Sequence, residues 1–328
     1  MTSDEANERL VELADLDELV RQIDRLCDEE AWDGLVDLRD RCRAALERGK
    51  QLWPAASLAE YRLALDAPGS FAGQMIRPEA GHLALGPLPE VAASRHTWLE
   101  LRDAIPPGPL ITVTAHERVA RGEDLSTEER LDDRVLDLPS RLATWEPHYA
   151  VALYEADVAR FPPPELPPRI DTALPPAGRR WDDALVTTAL LDLPRAWTAE
   201  SDGRAEAVAV EGSALSAIAA LGPPRARVSE LDPSTAVAWL AWVGASGGAH
   251  GRRRGMAAGR FGAWWASAAL GGVDDAWPVP PDEMGTIVSE LRWFAWDAGE
   301  PDTGWRFHLA VEDPAEGLAW AVAATDAA

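Results

Sequence analysis

Between Leu13 and Asp28 the apolar residues Leu16, Leu19, Val20, Ile23, Leu26 and Cys27 recur at spacings of three and four, which puts them on one face of a helix. A second helix is predicted from Asp33 through Leu35, Val36, Leu38, Cys42, Ala45 and Leu46. An acid opens it and Arg48 and Lys50 close it, as the helix dipole favours. The two read as a helical hairpin. Pro54 opens a third helix, through Leu58, Tyr61, Leu63 and Leu65, that stops at Ala67-Pro68-Gly69. No fixed period links the three, so a bundle and a short solenoid are both open. Shorter elements are predicted over 91–104 and 110–119, and helical spacing returns over 138–159 through Leu142, Trp145, Tyr149, Leu153 and Val158, with a break at Pro147.

The period then changes. Seven prolines fall between Phe161 and Arg180, where fixed φ and missing amide donors predict an irregular linker. Beyond it, alternating Ala and Val over 205–211 predict a strand, as do the patterns over 225–231, 287–296 and 305–311. Leu231-Asp232-Pro233 and Glu312-Asp313-Pro314 both read as a strand end followed by the cap of a Trp-bearing helix, with Trp239 and Trp320 each seven residues past the Asp. Val210-Glu211-Gly212-Ser213 is a weaker third copy. The whole pattern predicts a mainly helical α+β or α/β protein. An acidic domain of helical hairpins occupies 1–160, a Pro-rich linker 161–180, and a smaller α/β domain 181–328.

Charge limits the partners. A net charge of -24 over 328 residues opposes binding to nucleic acid and to anionic membranes. A protein partner, or a small anionic ligand held at a local basic site, is expected instead. The first ten residues carry acids and no apolar run, and Cys27 and Cys42 stand in a helical stretch without metal spacing, so a cytoplasmic protein with reduced thiols is expected. Of the 15 Trp, Trp239 and Trp242 share a helix face, whereas Trp293 and Trp296 fall on opposite faces of a predicted strand.

One stretch departs from the acidity. From Val243 to Trp265 the chain reads VGASGGAHGRRRGMAAGRFGAWW, and no acid occurs between Asp232 and Asp274. Arg252, Arg253, Arg254 and Arg260, with glycines beside them, are candidate anion-binding residues for a nucleotide or phosphometabolite. The competing reading is a helix connection whose small residues pack closely and whose arginines pair with acids of the same chain. Gly244-Ala245-Ser246-Gly247-Gly248 also matches the G-x-S-x-G nucleophile elbow, with Asp297 or Asp302 and then His308 following in hydrolase order. Asp232-Pro233 opposes that reading, because it starts a helix where the elbow needs a strand. The six histidines are scattered without ligand spacing, and neither a P-loop nor a dinucleotide fingerprint occurs, so no metal or cofactor is expected.

The run Gly248-Ala249-His250-Gly251-Arg252-Arg253-Arg254-Gly255, Gly259-Arg260-Phe261 after it, and the run from Ala310 to Trp320 resemble an uncharacterised family of actinobacterial hypothetical proteins. That resemblance implies a shared C-terminal module and carries over no catalytic residue. The functional expectation is a non-enzymatic interaction or adaptor protein. The alternatives are a serine hydrolase using Ser246 and a protein that binds a nucleotide or phosphometabolite.

Overall fold

Asp15 accepts hydrogen bonds from the amides of Asp17 and Glu18 and so starts the helix that buries Leu19, Ile23 and Leu26. It is the second of four in succession: α1 (Ser3–Leu13), α2 (Leu16–Asp28), α3 (Trp32–Ala44) and α4 (Trp53–Asp66). The computed structural model describes residues 3–299 and 303–327; Asp302 lies outside them. Helix α3 packs on α1 and α4 through Leu35, Leu38 and Cys42. Asn7, the only Asn of the chain, donates to Gly34 O and Asp37 and accepts from Gln22, so one amide joins α1, α2 and α3. Burial raises the Cys27 thiol to about 11 and the Cys42 thiol to about 12, which keeps both protonated at neutral pH.

Short helices α5 (Gly69–Met75), α6 (Leu88–Arg95), α7 (Trp98–Leu101) and α8 (Leu110–Val119) continue the chain. A two-stranded ribbon, β1 (Leu153–Tyr154) with β2 (Ala159–Arg160), belongs to the same unit, where the Tyr154 hydroxyl donates to buried Glu90 at 2.7 Å. This unit takes in Met1–Arg118, Thr127–Val135 and Ala152–Arg160.

The second unit takes in Val119–Ser126, Leu136–Val151 and Phe161–Ala328. Its seven-stranded sheet has the order β3-β6-β7-β8-β9-β5-β4, from β3 (Ile170–Thr172), β4 (Arg179–Trp181), β5 (Arg204–Glu211), β6 (Ala226–Leu231), β7 (Arg292–Asp297), β8 (Trp305–Asp313) and β9 (Leu318–Asp326). Every pairing is antiparallel. The fold is therefore α+β, without the parallel crossovers of an α/β sheet. Trp293, Phe307 and Trp320 face a core built with α9 (Ala184–Asp192), α12 (Pro233–Ala245) and α13 (Met256–Leu270), which α10 (Arg195–Ala199) and α14 (Pro281–Glu290) complete. Phe294, Trp296 and Ala310 face the other way, where α11 (Ala214–Ala220) covers Val208, Val210 and Ala321. Trp293 and Trp296 do lie on opposite faces, and both are buried: Trp293 in the core with α12 and α13, and Trp296 stacked on His308.

Four expectations fail locally. The stretch 161–180 is not irregular throughout: it supplies both edge strands, β3 and β4, where a proline-flanked strand needs few ladder amides. The segment 287–296 is helix to Glu290 and strand only from Arg292. Asp313 caps no helix. Its carboxylate accepts the amides of Ala315 and Glu316, its carbonyl accepts Gly317 N–H, and Gly317 at φ +66° turns the chain back, so Trp320 sits on β9. The stretch 138–159 carries helical spacing without a helix: over 138–152 two of its carbonyls and Glu146 are bonded to Arg260 of α13, and 153–154 and 159–160 are the strands β1 and β2.

Candidate ligand-binding site

Asp232 starts α12 by accepting Thr235 N–H at 2.9 Å, with Pro233 in the first turn where no amide is needed. The Gly-rich run then turns the chain into α13. A Cβ at Gly259 would lie 2.1 Å from Ala241 O, and one at Gly244 would lie 3.2 Å from the Gly259 Cα, so these glycines let α12 and α13 cross in contact. Gly248, at φ +70°, fits against Asp326, whose carboxylate accepts Ala249 N–H at 2.7 Å and the Ser201 hydroxyl at 2.9 Å. These glycines serve close packing.

The four candidate arginines are not brought to one ligand. Arg260 is fully buried; its guanidinium donates to both Glu146 oxygens at 2.7 Å, to Pro139 O at 2.9 Å and to Arg141 O at 3.0 Å. An external anion has no access to it. The Arg253 guanidinium lies 4.6 Å from the centre of the Phe161 ring, the Arg252 amide donates to Glu200, and Arg254 Nη1 donates to Asp192 O at 3.3 Å.

Ser246 is fully buried at the end of α12, in ordinary extended geometry, and its Oγ accepts Gly248 N–H at 3.0 Å. No strained strand-to-helix turn presents it. The structure does bring Asp297 and His308 to one place: both line a cavity of about 290 Å³, and Ser246 is not part of its wall.

That cavity is built where β7 and β8 end their ladder. The pairing runs from Arg292↔Glu312 to Ala295↔Leu309; one step beyond, Trp296 on β7 and His308 on β8 stack with ring centres 4.6 Å apart. Pro163, Pro164 and Leu166 form another part of the wall, tied down by Trp242 Nε1 donating to Phe161 O and Ser229 Oγ to Pro167 O, each at 3.3 Å. Trp239 and Trp242 of α12 supply indole surface. Arg169 and Arg306 add positive charge.

Burial, followed by the charges of Arg306 and Arg169, pushes His308 down to about 4 against a smaller opposing effect of Asp297, so the imidazole is neutral at pH 7. Burial alone would raise Asp297. Hydrogen bonds from Arg227 at 2.8 Å, Gly299 N–H at 2.8 Å and Arg169 at 3.0 Å outweigh that, holding the carboxyl below its ordinary range. Asp297 is thereby committed to guanidinium groups and does not orient the imidazole as a triad acid would. Two buried donors of wall residues, Trp296 Nε1 and Arg169 Nε, have no acceptor among the described residues. Buried donors normally have one.

The sequence profile of a family of unknown function, DUF6183, matches residues 17–328. The chain belongs to the DUF6183 family. No curated protein matches it, and no solved structure matches it. For this DUF6183 member the cavity residues Arg169, Trp296 and Arg306 carry no motif. Arg169 falls in the stretch that reads as a linker, and Arg306 is one arginine among many, so the sequence singled out neither. No group of His, Cys, Asp and Glu able to hold a metal, and no helix long and apolar enough to cross a membrane, occurs among the described residues.

Proposed function

We propose that this DUF6183 protein is a non-enzymatic, cytoplasmic binding protein whose second unit holds a small phosphorylated metabolite in the cavity at the end of β7 and β8. One observation carries the reading: in a chain of net charge -24, the field at buried His308 is dominated by Arg306 and Arg169, and buried N–H donors beside them await an acceptor. A phosphate group has a charge of about -1.5 to -2 and three acceptor oxygens, and guanidinium forks match it in shape and charge. Neutral His308 can donate one further hydrogen bond, while Trp239 and Trp242 offer flat apolar surface to a sugar or a base. A cavity of about 290 Å³ suits a monosaccharide phosphate and excludes a dinucleotide. Asp297, ionised and lining the same space, repels a ligand that is anionic throughout and favours one with hydroxyl groups at that end.

Thermal unfolding in the presence of inorganic phosphate, ribose 5-phosphate, glucose 6-phosphate and adenosine monophosphate tests the reading. A phosphorylated sugar is expected to raise Tm, and Arg306→Ala to remove that rise. The absence of any rise, or a rise unchanged in both Arg306→Ala and Arg169→Ala, would exclude it.

A further inference from the structure

A second cavity, of about 380 Å³, lies between α9 and α13 and is lined by different residues. Three half-buried rings form its wall. Trp265 and Trp277 meet edge to face at 5.4 Å, and Phe261 and Trp277 do so at 5.8 Å. Leu193 and Ala189 form apolar surface opposite, and Gly262 keeps the space open, since even a Cβ there would come within 3.0 Å of Leu193 Cδ2.

The charge at its rim is not balanced. Arg254 and Arg195 both line the cavity, and Asp192 is the one carboxylate among the lining residues. Asp192 lies 3.8 Å from Arg195, whereas Arg254 has only the Asp192 backbone carbonyl, at 3.3 Å, as its side-chain acceptor among the described residues. The lining residues thus carry two guanidinium groups and one carboxylate at the mouth of an apolar hole, and Asp192 and Glu200 act on Arg254 through space without a side-chain hydrogen bond to it.

The geometry points to a binding site for an aromatic monocarboxylate here, with the carboxylate on Arg254 and the ring among Phe261, Trp265 and Trp277. An edge-to-face cluster leaves ring faces and edges for a further aromatic ring, and a single carboxylate matches the single excess charge. A bare apolar ligand would leave Arg254 as it is, and a phosphate dianion would carry charge that Asp192 opposes. The site does not depend on the phosphate reading, because the two cavities have no lining residue in common.

Calorimetric titration of the full chain with 2-naphthoate tests it, with 2-naphthalenemethanol as the uncharged control. Saturable binding of naphthoate is expected, at least tenfold weaker for the alcohol and for Arg254→Gln, lost in Gly262→Leu, and unchanged in Arg306→Ala. In the wild-type protein, the indole N–H resonances of Trp265 and Trp277 are expected to shift on addition of naphthoate while that of Trp239 stays in place; this reading holds even where a variant fails to fold. No saturable binding, equal affinity in folded Arg254→Gln, or loss of binding in Arg306→Ala would each overturn the assignment.

Discussion

Glu146 and Arg260, far apart in sequence, are joined by two hydrogen bonds of 2.7 Å, and neither side chain is exposed to solvent. The Tyr149 hydroxyl and Trp264 Nε1 also donate to Glu146, at 2.6 and 3.1 Å, and the Arg260 guanidinium takes up the carbonyls of Pro139 and Arg141. One buried ion pair thus fastens the irregular stretch 136–151 to α13. The arginine that reads in the sequence as a ligand for an outside anion has its anion inside the same unit.

Removing one partner of such a pair leaves a charge buried without compensation, at a cost of about 3–5 kcal/mol, whereas replacing both by apolar residues of similar volume can be nearly neutral. Arg260→Ala is therefore expected to lower the unfolding free energy by about that amount, and the double variant Arg260→Met with Glu146→Leu by much less. Urea unfolding of the three proteins checks both values, and equal losses in the single and double variants would contradict the coupling.

Acid should weaken the fold in two stages. His308 is depressed from 6.5 to about 4 in the folded chain, so between these values the unfolded chain takes up a proton that the folded chain refuses. Stability present above about pH 6.5 is lost progressively down to pH 4, by roughly 3 kcal/mol in all. Glu146 acts lower. Burial would raise its carboxyl, but the Arg260 hydrogen bonds and charge outweigh that, so its contribution is complete above the ordinary carboxylate range and disappears as pH falls through the depressed value. Urea midpoints between pH 8 and pH 3 should show both losses, and His308→Gln should flatten only the upper one.

Two glycines in α13 should respond in opposite directions to the same substitution. Gly259→Ala sets a methyl 2.1 Å from a backbone carbonyl that cannot give way, and is expected to cost about 1–3 kcal/mol or more. Gly262→Ala meets only the tip of Leu193 and gains helix propensity, so stability should stay level or rise by up to about 1 kcal/mol. Thermal unfolding of the pair distinguishes close helix crossing from a general tolerance of small residues.

A fluorophosphonate is expected not to label the native protein, because Ser246 is fully buried and its hydroxyl already accepts Gly248 N–H. Ser246→Ala should cost about 1 kcal/mol through that lost acceptor and leave ligand binding unaltered. Stoichiometric labelling at Ser246 in folded protein would return the hydrolase to consideration.

Some of this protein was legible in its sequence. Helices α2, α3 and α4, the strands of 204–211 and 226–231, and the caps at Ser213 and Asp232 depend on spacing and on groups within a few residues, so local order was enough to read them. The same local rules misread 138–152, where Leu142, Trp145 and Tyr149 keep helical spacing while their backbone is bound by α13, and 314–320, where an Asp-Pro pair makes a hairpin turn as readily as a helix cap. Of the candidate residues, His308 and Asp297 line one cavity that Ser246 does not reach, and Arg254 lines another beside rings that the sequence did not connect with it. By itself the sequence determined the helices and strands whose spacing and caps are local, the excess of acid, and the one basic stretch that breaks it. Tertiary structure alone decided which arginine meets which carboxylate. A charge pair is fixed by distance in space and by the solvent excluded around it, and neither quantity is written in the order of residues along the chain.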